Sequence, residues 1–127
     1  MRILDKIVNH LKIEIEILSE SVPIFELEKT KGFDRKCKSL KESIQNSKSG
    51  IICEFKRRSP SNENINYTSN IKEVVKGYEK AGAVGVSILT NKKFFDGSGI
   101  DIINVRDSLN IPAVSYTHLT LPTILLV

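Results

Sequence analysis

Three short runs of β-branched and apolar residues alternate with capped amphipathic helices, and this order constrains the chain more than any other feature. The runs are 51–56, 84–90 and one opening at Ile111-Pro112-Ala113-Val114. Strands joined through helices in this way lie parallel, because a parallel pair needs a long crossover where an antiparallel pair needs only a tight turn. Asn70 with Glu73, and Ser98 with Asp101, have the spacing of a capping box at the head of each crossover helix. Val74, Val75, Tyr78 and Ala81 give the first of these a buried stripe that ends at Gly82, and the second is expected to run through Leu109. The run 84–90 carries no charge, as a strand buried on both faces should not.

Two helical elements precede the strands. Ile3, Ile7, Val8, Leu11, Ile15 and Leu18 recur at helical spacing and predict an amphipathic helix over about 3–19, stopped by Pro23. Ser39 with Glu42 opens a short helix to about Ser47, closed at Gly50. The stretches 59–69 and 91–97 read as loops. Such β-α-β units build either a doubly wound open sheet or an eight-stranded barrel. No Gly-x-Gly-x-x-Gly follows the first strand, which weighs against the dinucleotide-binding form of the open sheet. The expected class is therefore α/β, the N-terminal portion of a (β/α)8 TIM barrel with extra N-terminal helices.

A barrel of that kind takes about 250 residues, so 127 residues make it incomplete in this chain. The expected organisation is a helical extension over 1–49, the first β-α-β-α-β part of the barrel over 50–114, and a foreign or frameshifted tail over 115–127. The tail is suspected because residues 113–127 contain none of the 34 charged residues found before them. A natural divergent strand stays open beside it, since Val-Ser-Tyr-Thr alternates acceptably.

Composition excludes several classes. Cys37 and Cys53 are the only cysteines, with no signal-peptide pattern ahead of them, so a disulfide framework and a zinc site are not expected and a cytoplasmic location is. The longest apolar run is interrupted by Pro122, and no membrane span is expected. The net charge of +4 is concentrated in residues 29–58, with ten basic and three acidic groups. Nucleic-acid binding would want those bases interleaved with exposed aromatics or set along one helix, and neither pattern is present, so no nucleic-acid partner is expected.

The run 51–56 poses the functional question. Side chains alternate along a strand, so Ile52, Glu54 and Lys56 share one face while Cys53 and Phe55 share the other. Cys53 and Phe55 would pack under helices, and Glu54 and Lys56 would project into the barrel near its top. An unpaired buried carboxylate is strongly disfavoured, whereas an adjacent ammonium keeps both groups ionised. The pair makes a grip for an anion; the alternative is a strand end at which both groups simply meet water.

Glu-Phe-Lys-Arg-Arg-Ser-Pro-Ser at 54–61 resembles the first-strand signature of indole-3-glycerol phosphate synthase, a barrel enzyme of tryptophan biosynthesis. Further stretches agree in order: Ile-Leu-Asp-Lys-Ile at 3–7, Gly-Tyr-Glu-Lys-Ala-Gly-Ala at 77–83, Val-Ser-Ile-Leu-Thr at 86–90 and Phe-Phe-Asp-Gly-Ser at 94–98. The resemblance implies a carboxy-lyase acting on a phosphorylated small molecule, 1-(2-carboxyphenylamino)-1-deoxyribulose 5-phosphate, which closes to an indole with loss of carbon dioxide and water. It implies no metal and no organic cofactor. Lys56 would hold the substrate carboxylate and assist proton transfer, and Glu54 would orient Lys56 and join the proton relay. Ser59 and Ser61 would shape the pocket, and Leu89 and Phe95 would line its aromatic side.

The bland readings sit beside these. A helix cap explains Ser98 better than a phosphate cradle at 97–99. Arg57 and Arg58 either steer an anionic substrate or form a solvated strand end, while Tyr67 and Tyr78 read as packing residues and His10 is assigned no role. The family continues after Ile111-Pro112 with a Lys-Asp-Phe or Lys-Glu-Phe motif whose lysine is the general acid, and here that position is Tyr116. The chain as written is thus expected to be inactive and to leave strand edges open. A non-catalytic module that binds anions, or completes a barrel with another chain, is the alternative, and a neighbouring phosphate-binding isomerase a weaker one.

Overall fold

The computed structural model describes residues 2–116. The chain divides into two compact units, one holding the residues up to Cys37 and the other those from Lys38. In the first unit α1 spans Ile3–Ser21 and α2 spans Ile24–Glu28. Asp5 sits in the first turn of α1, where its Oδ2 accepts from the Arg2 backbone N at 3.1 Å and its charge complements the helix dipole. Of the apolar stripe, Ile7 and Leu11 are buried, while Ile3, Ile15 and Leu18 stay exposed.

α2 was not anticipated from the sequence, because Pro23 was read only as a stop. The proline does end α1, but its carbonyl then accepts from the Glu26 N at 2.9 Å and it becomes the N-cap of the next helix. A fixed φ of −65° suits that place, where no amide proton is needed.

The second unit contains α3 (Leu40–Gln45), β1 (Ile52–Phe55), α4 (Ile71–Lys80), β2 (Gly85–Leu89), α5 (Lys92–Phe95), α6 (Gly99–Arg106) and β3 (Ala113–Tyr116). The expected caps form: Ser39 accepts from the Glu42 N, Asn70 from the Lys72 and Glu73 N, and Ser98 from the Ile100 N. α6 ends at Arg106, short of the expected Leu109, yet Leu109 is still buried at 2% exposure. α5 falls inside the stretch read as a loop.

The three strands form one parallel sheet in the order β1-β2-β3. Ile52 faces Gly85, Glu54 faces Ser87 and Phe55 faces Ile88; on the other side Val86 faces Ala113, Ser87 faces Val114 and Leu89 faces Tyr116. α4 packs on β1 and β2, and α6 on β3 and α4. Phe55, Val86 and Ile88 meet Val75, Val105 and Leu109 in the core between sheet and helices. Each such side chain contributes on the order of 1.5–3 kcal/mol by leaving water.

The other face of the sheet carries Ile52, Glu54, Gly85, Ser87, Leu89 and Val114. At its N-terminal end Leu40 of α3 lies against Gly85, where a Cβ would come within 2.6 Å of Leu40 Cδ1. A side chain at Gly85 would require the tip of Leu40 to shift. Among the described residues, β1 and β3 are the edge strands, and no helix is long and apolar enough to cross a membrane. Residues 113–116 pair with β2 as a strand, and the remainder of the suspected tail lies outside the described residues.

Candidate active site

Alternation along β1 is as expected. Phe55 is buried in the core at 2% exposure, whereas Glu54 and Lys56 project from the opposite face and meet. Lys56 Nζ lies 2.7 Å from Glu54 Oε1, with the two side chains 30% and 42% exposed. Each group therefore keeps part of its water, so neither pays the full cost of burial, and both are reachable by a ligand. An ammonium already paired on one side presents its remaining protons to an incoming carboxylate or phosphate.

The strand end is held from behind. Tyr78 of α4 donates from its hydroxyl to the Glu54 carbonyl at 3.2 Å. Burial, reinforced by Cys53 and Glu54 nearby, pushes its phenol above the ordinary 10.0, which keeps it a donor. Tyr78 packs as expected, and its hydroxyl adds a role no spacing could show. Tyr67 differs, being 47% exposed.

Neither reading of Arg57 survives. Its side chain points away from Lys56 and pairs in a fork with Asp101 of α6, Nη1 to Oδ2 at 2.6 Å and Nη2 to Oδ1 at 2.9 Å. The hydrogen bond to Asp101 raises the Arg57 pKa against the opposing cost of burial. Asp101 Oδ2 also accepts from the Ser98 N at 3.1 Å, so the residue read as a cap is at once the partner of Arg57. Arg58 likewise turns to protein, donating from Nη2 to the Lys93 carbonyl at 2.6 Å. Both arginines thus hold the connection after β2 rather than facing a substrate.

That connection is built by local chemistry. Asn91 Oδ1 caps α5 by accepting from the Phe94 N at 2.9 Å. Asp96 then takes φ 52°, and Gly97 N returns to the Asn91 carbonyl at 3.1 Å. A Cβ on Gly97 would stand 1.8 Å from the Leu89 carbonyl oxygen, so only glycine lets the chain press this closely on the end of β2. Leu89 and Phe95, expected as an apolar wall, are buried at 7% and 5% exposure.

Ser59 and Ser61 are brought together in the loop after β1, their hydroxyls 3.2 Å apart. Ser59 N donates to the Asn62 carbonyl at 2.7 Å, and the Arg57 carbonyl accepts from the Ile65 and Asn66 N, which folds the loop back on the strand. Among the described residues neither serine makes a hydrogen bond to Glu54 or Lys56. A separate cavity of about 540 Å³ lies on the helix side, lined by Arg57, Lys72, Asp101 and Asn104 among others, and takes in none of the expected site residues. Among the described residues no group of three or more His, Cys, Asp or Glu could hold a metal ion.

The family model for indole-3-glycerol phosphate synthase matches residues 4–119. Proteins named indole-3-glycerol phosphate synthase are similar over most of this chain. The one from Bacteroides thetaiotaomicron is 37% identical over 112 residues, covering 88% of this chain and 43% of its own length. One from Bacillus cereus is 44% identical over 110 residues, 87% of this chain and 40% of its own, and one from Bacillus anthracis 40% identical over 111. The chain spans about two fifths of the length of the curated relatives it matches.

Proposed function

From a chain that belongs to the indole-3-glycerol phosphate synthase family, we propose a protein that acts as a carboxy-lyase, closing 1-(2-carboxyphenylamino)-1-deoxyribulose 5-phosphate to indole-3-glycerol phosphate. The family fold is a TIM barrel, and the three parallel strands correspond to the first of its eight. On this reading residues 1–49 are the helical extension and 50–114 the opening of the barrel. The setting is the cytoplasm, and the substrate is a phosphorylated small molecule.

The observation that carries the reading is the Glu54–Lys56 pair on the open face of β1, 2.7 Å apart and still partly hydrated. Ring closure releases the carboxyl carbon as carbon dioxide and the carbonyl oxygen as water, so a cation must hold the carboxylate and protons must reach the departing oxygen. Lys56 supplies the cation, fixed in direction by Glu54, which joins it in moving protons. Ser59 and Ser61 border the approach from the folded-back loop. Leu89 and Phe95 supply the apolar backing for an anthranilate ring.

One observation favours a second, non-catalytic reading: Tyr116 stands at the end of β3 where the family motif carries its lysine. In that case the site binds an anion, or completes a barrel with another chain, without turnover. The deciding experiment is conversion of the substrate to an indole product by the intact protein, followed by absorbance, with Glu54→Gln alongside. Turnover that falls at least a hundredfold in the variant supports the lyase. Binding of substrate without any indole formed overturns it in favour of the second reading.

A further inference from the structure

The stretch 77–83 carries part of the family likeness, yet none of its residues enters the site proposed above. Tyr78 lies within it. Its ring packs against the core that holds Phe55, Val75 and Val86. A phenylalanine would fill that place as well, so packing explains the ring and leaves the hydroxyl to be explained.

What the hydroxyl meets is set by the pairing of the strands. Val86 of β2 donates its N–H to the Pro112 carbonyl at 2.9 Å, and so turns its backbone groups toward β3. In a parallel pair one residue of each facing couple bonds across and the other turns away. Cys53, which faces Val86, is therefore a residue that β1 bonds to β2. The direction alternates along the strand, so Glu54, next in line, turns its N–H and carbonyl to the open edge of β1. The hydroxyl of Tyr78 donates to that carbonyl at 3.2 Å.

This is the residue on which the site depends. The last pairing of β1 with β2 is at Phe55, so Lys56 lies one position past it. The bond from Tyr78 falls on the residue whose carboxylate holds Lys56, and a shift of the Glu54 backbone moves the carboxylate and, through the 2.7 Å contact, the ammonium. We infer that Tyr78 is a positioning residue of the site: its hydroxyl fixes the Glu54 backbone at the edge of the sheet, and with it the place from which Glu54 and Lys56 meet the substrate. The role rests on the reading of Glu54 and Lys56 as site residues. It extends the site from β1 and its loop to the helix behind them.

The test is Tyr78→Phe in the intact protein, which keeps the ring and removes the donor. Followed by NMR, the carbonyl carbon of Glu54 moves upfield and the side-chain nitrogen of Lys56 moves with it, while the carbonyl of Ile52, turned to the same edge, stays. In the activity assay kcat of the folded protein falls roughly tenfold, more than KM rises. A residue that only stabilises the fold would lower the unfolding midpoint and leave both kcat and the Lys56 signal as they were, and that result overturns the proposal. So does an unmoved Glu54 carbonyl. Should Tyr78→Phe fail to fold, a difluorinated tyrosine placed at position 78 takes over, since its more acidic phenol gives up the proton on mild titration. The Glu54 and Lys56 signals should then follow that titration, and signals that ignore it overturn the proposal. If the wild type forms no indole, the lyase reading fails, while the two signals still decide the role of Tyr78.

Discussion

Lys56 and Arg57 are neighbours in the chain and finish in opposite kinds of ion pair. Lys56 meets Glu54 through a single contact on its own strand, with both side chains about a third exposed or more. Arg57, one residue on and so on the other side, meets Asp101 through two contacts, with that carboxylate only 9% exposed. The first pair spans two residues and ties nothing distant together. The second bridges β1 and α6 across 44 positions. Where a pair keeps its water it stays available to a ligand, and where it loses its water it becomes a structural fastening. The difference comes from which face of the strand each residue occupies, not from the charges.

Three perturbations of the intact protein separate the two roles. On the lyase reading proposed above, Lys56→Met should show the largest effect and show it in catalysis: kcat falls by about 10²–10⁴, while the urea midpoint barely moves, because a half-exposed pair contributes about 0.2–1 kcal/mol. A large loss of stability in this variant would merge the two pairs into one class. Asp101→Asn should do the reverse. It leaves the Arg57 guanidinium without its carboxylate and costs about 3 kcal/mol of stability, with kcat of the folded fraction little changed. Equilibrium unfolding beside steady-state kinetics reads both.

The smallest effect concerns a third pair, Lys76 with Glu79 at 2.7 Å, toward the opposite end of the sheet. Glu79 Oε1 also accepts from the Asn110 N at 2.5 Å, and these bonds, the one from Lys76 first, hold its carboxyl below the ordinary 4.5. A depressed folded pKa means that the stabilisation is present above the ordinary value and is lost as pH falls through the folded one. Unfolding midpoints taken from neutral pH down through the carboxylate range should fall more steeply in the wild type than in Glu79→Gln. Equal slopes would show that this pair, like that of Lys56, does not support the fold.

Local features were legible from residue types alone. Ser39, Asn70 and Ser98 cap helices because a side-chain oxygen finds an amide two or three residues ahead, and that spacing is written in the chain. The faces of β1 follow from alternation. α5 was not legible: its four residues are too few for a period and depend on the Asn91 cap, the Arg58 hydrogen bond and the approach of Gly97 to Leu89. The candidate site was half legible: Glu54 and Lys56 announced themselves as charges in an apolar strand, but the fork between Arg57 and Asp101 joins residues too far apart in sequence for spacing to show.

By itself the sequence determined the order of the three strands and of the helices α1, α3, α4 and α6, the caps at Ser39, Asn70 and Ser98, and which side of β1 each charge would take, because these depend on neighbours within a few positions. Only the tertiary structure decided that Arg57 would fasten to Asp101, that Gly97 would admit the Leu89 carbonyl, and that Ser87 would stand beside Glu54. Those outcomes depend on strand register and on which groups lose their water together, and both are set when distant segments pack.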